Sequence, residues 1–424
     1  MPFGDRTRRQ MSLKHSTTAG FFLALARIGA GLVTMKVLAA LTGPAGMALA
    51  AQMQSLVSIP VTAVAGGLGN GVIKYVSEHR SDPARQAAFI RSALALCVGT
   101  GALIAAAMWA FSQPLSLLVL GSPKYAGVVG VAAAAISFLI VNGMLTSLLN
   151  GLQDIPRYAL ASAAGIIAGA SIVWILTFGW GLRGALTAVA IGQAPALVLT
   201  SILVARTGRA TLSNLLRGPD ARSSVMLGRF VLMSCTTAAL VPTSHIIVRN
   251  FLMRELSPEA AGYWQGMARI SEVYLFVITS ALTTYYLPRL SEVQDKAGLR
   301  REVGRGLAIF VPLAALGALA IFLLKSKVVE IVFTPSFTPM EVLFGPQVLG
   351  DVLKIASYLL AMLMLAKSMT RFYIVSEIAF VALFILISFA FTRTMGLVGM
   401  AWGHVALHLA YLVTLAWRMR RVLF

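Results

Sequence analysis

Asp351 and Lys354 stand three residues apart near the middle of an apolar run, residues 342–365. A charge at the centre of a bilayer costs roughly 2.5–3.5 kcal/mol on insertion scales, so it is seldom left there without a partner or a polar cavity. Positions i and i+3 share a helix face, which holds this acid and this base side by side. Two readings follow: a gate or coupling site that responds to protons, Na⁺ or the membrane potential, or an internal ion pair that only fixes helix packing. Arg269 and Glu272 repeat the spacing in another apolar run and carry the same two readings, and Glu377 lies well inside a third. Glu272, Asp351, Lys354 and Glu377 are therefore the candidate coupling or gating residues.

The N-terminal half embeds cations, Arg27 and Lys36, and no carboxylate. Lys36 is close enough to the outer end of its run to snorkel, which makes Arg27 the stronger candidate. Nine residues apart on an unbroken helix, at about 100° per residue, the two would face opposite sides. A break at Gly29 and Gly31 would let both line one cavity. Arg249, on the outer side of the seventh run, joins Arg27, Lys36 and Arg269 as candidate substrate-binding residues. A cavity with excess cations and little acid suits an anionic substrate; a diphosphate is one candidate, since guanidinium offers it bidentate contacts. His404 and His408, four residues apart in the last run, are either a proton site or polar residues packed between helices, the second being favoured.

Catalytic motifs are missing. No H-E-x-x-H, G-x-S-x-G or C-x-x-C is present, and the glycine cluster at 66–71 is followed by Val72-Ile73, not by the Lys-Ser/Thr of a phosphate loop. That cluster reads as close helix packing or a break in a helix. Cys97 and Cys235 read as small buried hydrophobes, with no disulfide, metal site or cofactor expected. Tyr263, Trp264, Tyr274, Tyr285 and Tyr286 read as interface anchors or packing, with stacking on sugar rings as the alternative.

The elements that must position these groups are transmembrane helices. With 58% hydrophobic and 12% charged residues over 424 positions, the chain is too apolar for an ordinary soluble protein. Apolar stretches long enough to span recur at 17–41, 47–73, 88–111, 127–150, 157–178, 183–204, 226–250, 262–287, 305–325, 341–365, 371–391 and 397–417. Strands are not expected, because an exposed sheet edge cannot be satisfied in lipid. The net charge of +20 belongs to topology, not to nucleic acid. Of 35 basic residues, 24 fall on the N-terminal side of a twelve-span layout, which places both termini in the cytoplasm. Residues 1–14 form a basic tail followed by a span without a clear cleavage site, so the tail reads as retained.

Three pairs of short motifs recur at an offset near 214. Lys74-Tyr-Val-Ser-Glu78 matches Pro288-Arg-Leu-Ser-Glu292, Arg157-Tyr158 matches Arg371-Phe372, and Gly181-Leu-Arg-Gly184 matches Gly396-Leu-Val-Gly399. The expected fold is all-α and polytopic, about twelve transmembrane helices in two six-helix bundles related as parallel repeats. Its parts are a tail at 1–16, bundles at 17–205 and 225–417, a basic linker at 206–224 and a tail at 418–424. Transporters with such repeats bind near the midplane and alternate access by rocking.

The C-terminal half carries a specific likeness. Gln347-Val-Leu-Gly-Asp-Val-Leu-Lys354, Ala366-Lys367 and Arg371-Phe-Tyr-Ile-Val-Ser-Glu377 resemble the bacterial lipid III flippase and O-antigen translocase (Wzx) family of the multidrug/oligosaccharidyl-lipid/polysaccharide exporter superfamily. Gly262-Tyr-Trp-Gln-Gly266, Leu287-Pro-Arg-Leu-Ser291, Gly43-Pro-Ala-Gly46 and Asn70-Gly-Val-Ile-Lys-Tyr75 are similar to the same family, and the likeness covers nearly the whole chain. The basic tail at 1–14 departs from its pattern. The resemblance implies a non-enzymatic inner-membrane transporter that moves an undecaprenyl-diphosphate-linked oligosaccharide to the periplasmic leaflet. The oligosaccharide would be an O-antigen or enterobacterial common antigen unit. Polymerase and chain-length proteins are the further partners it implies. A cation-coupled multidrug exporter of the same superfamily is the alternative, though its cavity should be acid-rich. A non-transporting scaffold for polysaccharide assembly is another, though it needs no charge at the bilayer centre.

Overall fold

The computed structural model describes residues 3–208, 218–367 and 369–423, without the side chains of 3–22, 236–237, 370 and 421–423. Among these residues every regular element is helical. The helices are α1 (Phe3–Val61), α2 (Gly67–Glu78), α3 (Pro83–Ala110), α4 (Ser112–Leu120), α5 (Ala126–Gly151), α6 (Ile155–Ile191) and α7 (Ala196–Ala205). They continue as α8 (Ala221–Glu255), α9 (Pro258–Ala281), α10 (Leu287–Glu292), α11 (Lys296–Leu323), α12 (Lys325–Val332), α13 (Phe344–Ala366), α14 (Thr370–Met395) and α15 (Leu397–Leu423).

Among the described residues, ten continuous helical runs are long and apolar enough to cross a membrane. Two of them are double. At about 1.5 Å per residue, the 56 residues of Leu23–Glu78 would reach ~84 Å if straight, against a hydrocarbon core of about 30 Å. The run folds back at Gly43, whose φ of 67° is left-handed. The run Ile155–Ala205 turns in the same way at Trp180–Gly181. Twelve spans result, as the apolar stretches require.

The repeat extends to backbone detail. Gly181 (φ 54°, ψ −134°) and Gly396 (φ 62°, ψ −143°) occupy the same left-handed conformation at the fifth-to-sixth turn of each half. Three residues on, a Cβ at Gly184 would strike the Leu176 carbonyl oxygen, and one at Gly399 the Phe391 carbonyl oxygen. The motif is thus a turn in which the first glycine supplies φ > 0 and the second lets the chain fold onto the preceding helix. Matching π-helical turns interrupt the second span of each half, at Thr62–Gly66 and Leu282–Tyr286. Short helices α4 and α12 follow the third span of each half. G184A and G399A should each destabilise the protein by about 1–3 kcal/mol, since backbone cannot yield as a side chain can. The check is the thermal unfolding midpoint of the purified chain, which would stay unchanged if these turns were slack.

The chain packs as two compact units, Met1–Thr42 with Leu49–Thr243, and Gly43–Ala48 with Ser244–Phe424. The division lies inside α8, beside Pro242, which supplies no backbone N–H to that helix. The expected linker precedes it, and its residues 209–217 lie outside the described ones. Inside that linker, Asp220 caps α8: Ser223 donates from Oγ (2.7 Å) and from its backbone N (2.8 Å) to the carboxylate, which these bonds hold below its ordinary pKa. The Asp220 backbone N donates to Ser92 Oγ at 2.9 Å, tying the helix start to α3.

In the first unit the glycine cluster shows both features expected of it. The π turn ends at Gly66, and Cβ atoms at Gly67 and Gly71 would lie 2.7 Å from Val231 Cα and 2.8 Å from Leu227 Cδ2. In the second unit Gly262 abuts the Pro44 carbonyl, so two of the short motifs meet in one packing contact. Ala48 joins Val248, Leu252, Ala261, Trp264 and Met400 in a small apolar core. Another motif residue, Arg289, grips Glu302 of α11 through Nε (2.8 Å) and Nη2 (3.0 Å), a bidentate staple across the α10–α11 turn.

Candidate functional site

The candidate charged residues of the second unit lie on α8, α9, α13 and α14, and the two histidines on α15. On α13, Gln347, Asp351 and Lys354 share one face by i, i+4, i+7 spacing. Asp351 is 0% exposed, and its carboxylate is surrounded by donors. Oδ2 accepts from Ser271 Oγ at 2.6 Å and Tyr274 Oη at 2.8 Å, both on α9. Oδ1 accepts from Gln347 Nε2 at 3.3 Å and lies 2.9 Å from His404 Nε2 of α15. An ionised carboxylate can only accept, so in that state Nε2 carries the hydrogen. Gly350 makes the approach possible, because a Cβ there would collide with the His404 ring.

The internal ion pair that stood as one of the two readings of Asp351 and Lys354 does not form. Among the described residues the ion-pair partner of Asp351 is His404, and Lys354 makes none. The reason is direction: the carboxylate turns into the bundle toward α9 and α15, whereas Lys354 is only half-buried, within electrostatic reach of the acid. His408 stacks edge-on to His404 at 4.5 Å between ring centroids. The histidine pair is packed between helices, and one member is also the partner of the buried acid.

Arg269 and Glu272 do pair, Nη1 to Oε2 at 2.7 Å, on an accessible face with side chains 40% and 50% exposed. Arg249 is 2% exposed. Its Nε donates to the His245 carbonyl at 3.1 Å and its Nη1 to Gln265 Oε1 at 3.2 Å. Glu377 is half-buried and accepts from Tyr411 Oη at 3.4 Å. Of the aromatics on the eighth span, Trp264 is buried against His245 and Phe384, Tyr286 donates to the Glu302 carbonyl, and Tyr285 stands exposed.

In the first unit Arg27 is exposed and Lys36 half-buried. The break that Gly29 and Gly31 would permit is not there: non-helical angles occur within α1 only at Gly43. Nothing lies within 4 Å of a Cβ at either glycine, and both keep helical backbone, so no contact forces the helix open. Arg27 and Lys36 therefore face opposite sides of one helix. Sequence reasoning missed Ser271, Tyr274 and Gln347 as partners of Asp351; a Gln four residues before an embedded Asp was the one signal in reach.

No cluster of three or more His, Cys, Asp or Glu side chains that could hold a metal ion occurs among the described residues. The arrangement can carry a proton on a buried carboxylate–imidazole pair, and it presents cations on accessible helix faces.

Comparison with known proteins bears on the whole chain. Residues 16–294 match the family described as polysaccharide biosynthesis protein. The lipid III flippases of Escherichia coli (strain K12) and Shigella flexneri are each 30% identical over 415 residues, 97% of this chain and 100% of theirs. Among solved structures, a multidrug resistance MATE family transporter of the MOP superfamily in its inward-facing conformation aligns with a TM-score of 0.75 at 15% identity, covering 94% of this chain and 95% of that one. The lipid II flippase MurJ in an inward closed conformation aligns at 0.74 and 12% identity, covering 96% and 87%. Identities that low carry the fold alone, which is that of these multi-pass membrane transporters. By the match over residues 16–294 and the full-length identity, the chain belongs to the polysaccharide biosynthesis protein family, among the lipid III flippases.

Proposed function

We propose that this protein flips an oligosaccharide carried on undecaprenyl diphosphate from the cytoplasmic to the periplasmic leaflet of the bacterial inner membrane, by alternating access. The observation that carries the reading is the likeness to lipid III flippases along 97% of the chain. The glycan is of the enterobacterial common antigen or O-antigen class. Arg27 and Arg269, on accessible helix faces, contact the diphosphate, and Lys36 adds charge. Arg249 is committed to Gln265 and the His245 carbonyl, so it supplies field more than contact. Glu272 tunes Arg269, while Asp351, Lys354 and Glu377 couple transport to its driving force. Two hydroxyls, an amide and an imidazole already fill the Asp351 carboxylate, an arrangement suited to a proton more than to Na⁺, which needs several converging oxygens. An acid-poor first half counts against the cation-coupled drug exporter. Both termini lie in the cytoplasm, and polymerase and chain-length proteins receive the product at the opposite face.

Reconstitution in liposomes tests this. A fluorescent polyprenyl-diphosphate oligosaccharide should cross between leaflets in a gradient-dependent manner. Export of a cationic dye with no glycolipid movement would favour the drug exporter, and movement of neither would favour a scaffold. The same vesicles report orientation: thiols at K124C and K327C should react from the periplasmic side, and one at K296C only after permeabilisation.

A further inference from the structure

The first unit contains a basic cavity apart from every residue assigned above. It has a volume of about 210 Å³ and lies where the α2–α3 turn, the α5–α6 turn and the end of α7 come together. Arg80, Arg157 and Arg206 line it, with Gln86, Asp154 and Thr207. Asp154 is the one carboxylate among the lining residues, and it is already engaged by Arg157 Nη1 at 2.6 Å. Two positive charges are left over. At about 30 Å³ per water, the space holds roughly seven waters. That is room for one phosphate group with its hydration.

Arg80 is held toward this cavity by a strained residue. Its Nη1 donates to Gln153 Oε1 at 2.6 Å. Gln153 is the only non-glycine among the described residues with positive φ, at 59°. Such a conformation costs free energy in a residue with a Cβ, and it persists where the surroundings impose it. Here it presents the side chain that orients Arg80. Guanidinium groups carry five donors each, and the bonds described use one on Arg80 and, for Arg157, the one to Asp154.

We propose that this cavity is a phosphate-binding site, distinct from the transport pathway. Its ligand is a phosphate group, supplied either by an anionic phospholipid headgroup of the leaflet that the basic residues face or by a soluble phosphate compound. All three arginines count among the basic residues that the topology places on one side, so the site faces the leaflet with the negative surface potential.

The test uses the full chain, purified in detergent, and follows its unfolding midpoint at constant ionic strength. One arm adds inorganic phosphate or pyrophosphate; the other adds phosphatidylglycerol, with phosphatidylcholine as the neutral control. A saturable rise in one arm supports the site and names the source. In R80Q/R206Q the apparent affinity should fall about tenfold or more, because charge-assisted contacts to phosphate dominate such binding. Q153G keeps the test open should that variant fold poorly, since glycine accepts the backbone angle while freeing Arg80; its affinity should fall several-fold. No saturable rise in either arm overturns the proposal, as does an equal rise in the wild type and these variants. Glycolipid flipping in liposomes reads the transport function separately, so the two readings stand or fall apart.

Discussion

D351N is expected to reduce gradient-driven flipping to background while leaving a folded protein at near-normal levels. The carboxylate is completely buried among four partners from three helices, so protonation there changes the charge of the bundle interior. Asparagine keeps the shape and removes the charge. The Ser271 and Tyr274 hydroxyls can rotate to accept its amide hydrogens, and His404 can change tautomer, so the network can be refilled. Alanine would be a poor test, because each stranded donor costs about 1–3 kcal/mol and folding would be lost with function. H404Q should give the same loss of gradient dependence, whereas K354M should have a smaller effect, since Lys354 makes no ion pair with the acid. Gradient-dependent flipping retained in D351N/K354M would leave the pair with a structural role alone.

R269A and R27A are expected to lower flipping roughly 10–100-fold each. A hydrogen bond to a charged group is worth about 1.5–3 kcal/mol, and about 1.4 kcal/mol is a factor of ten. Lysine at either position should retain part of the activity, because the charge survives and the planar fork does not. R269A also strands Glu272, so R269A/E272Q separates loss of the substrate contact from an unpaired acid. Normal transport by well-expressed R27A/R269A would remove both arginines from the pathway.

The spans, their number and the repeat were legible in the sequence because each is written in local terms: apolar length, flanking basic residues, and a Gly-x-x-Gly turn that needs the same backbone angles twice. The embedded charges were legible as positions but not as partners. Asp351 and Lys354 share a helix face, and that periodicity pointed to a pair along α13. The contact that won runs across the bundle to His404, which stands on α15 and has no sequence spacing to betray it. Gly29 and Gly31 misled in the opposite direction. Glycine permits a break in a helix, but only a contact or a left-handed angle compels one, and neither is present. The π turns were invisible for a related reason, since five-residue departures from helical period leave the apolar pattern of a span almost unchanged.

The corner at Gly43–Ala48 has a consequence for how the protein is made. Domains generally fold in order as the ribosome releases them, N-terminal first. This corner belongs to the second unit, and the core around Ala48 includes Val248, Leu252, Trp264 and, close to the C-terminus, Met400. The helices that meet at this corner therefore reach the membrane carrying a tip whose packing partners have not yet been synthesised. That tip must wait, inserted but unseated, until Met400 has followed. A nascent chain that stops short of α15 thus leaves a corner some hundreds of residues earlier without its seat.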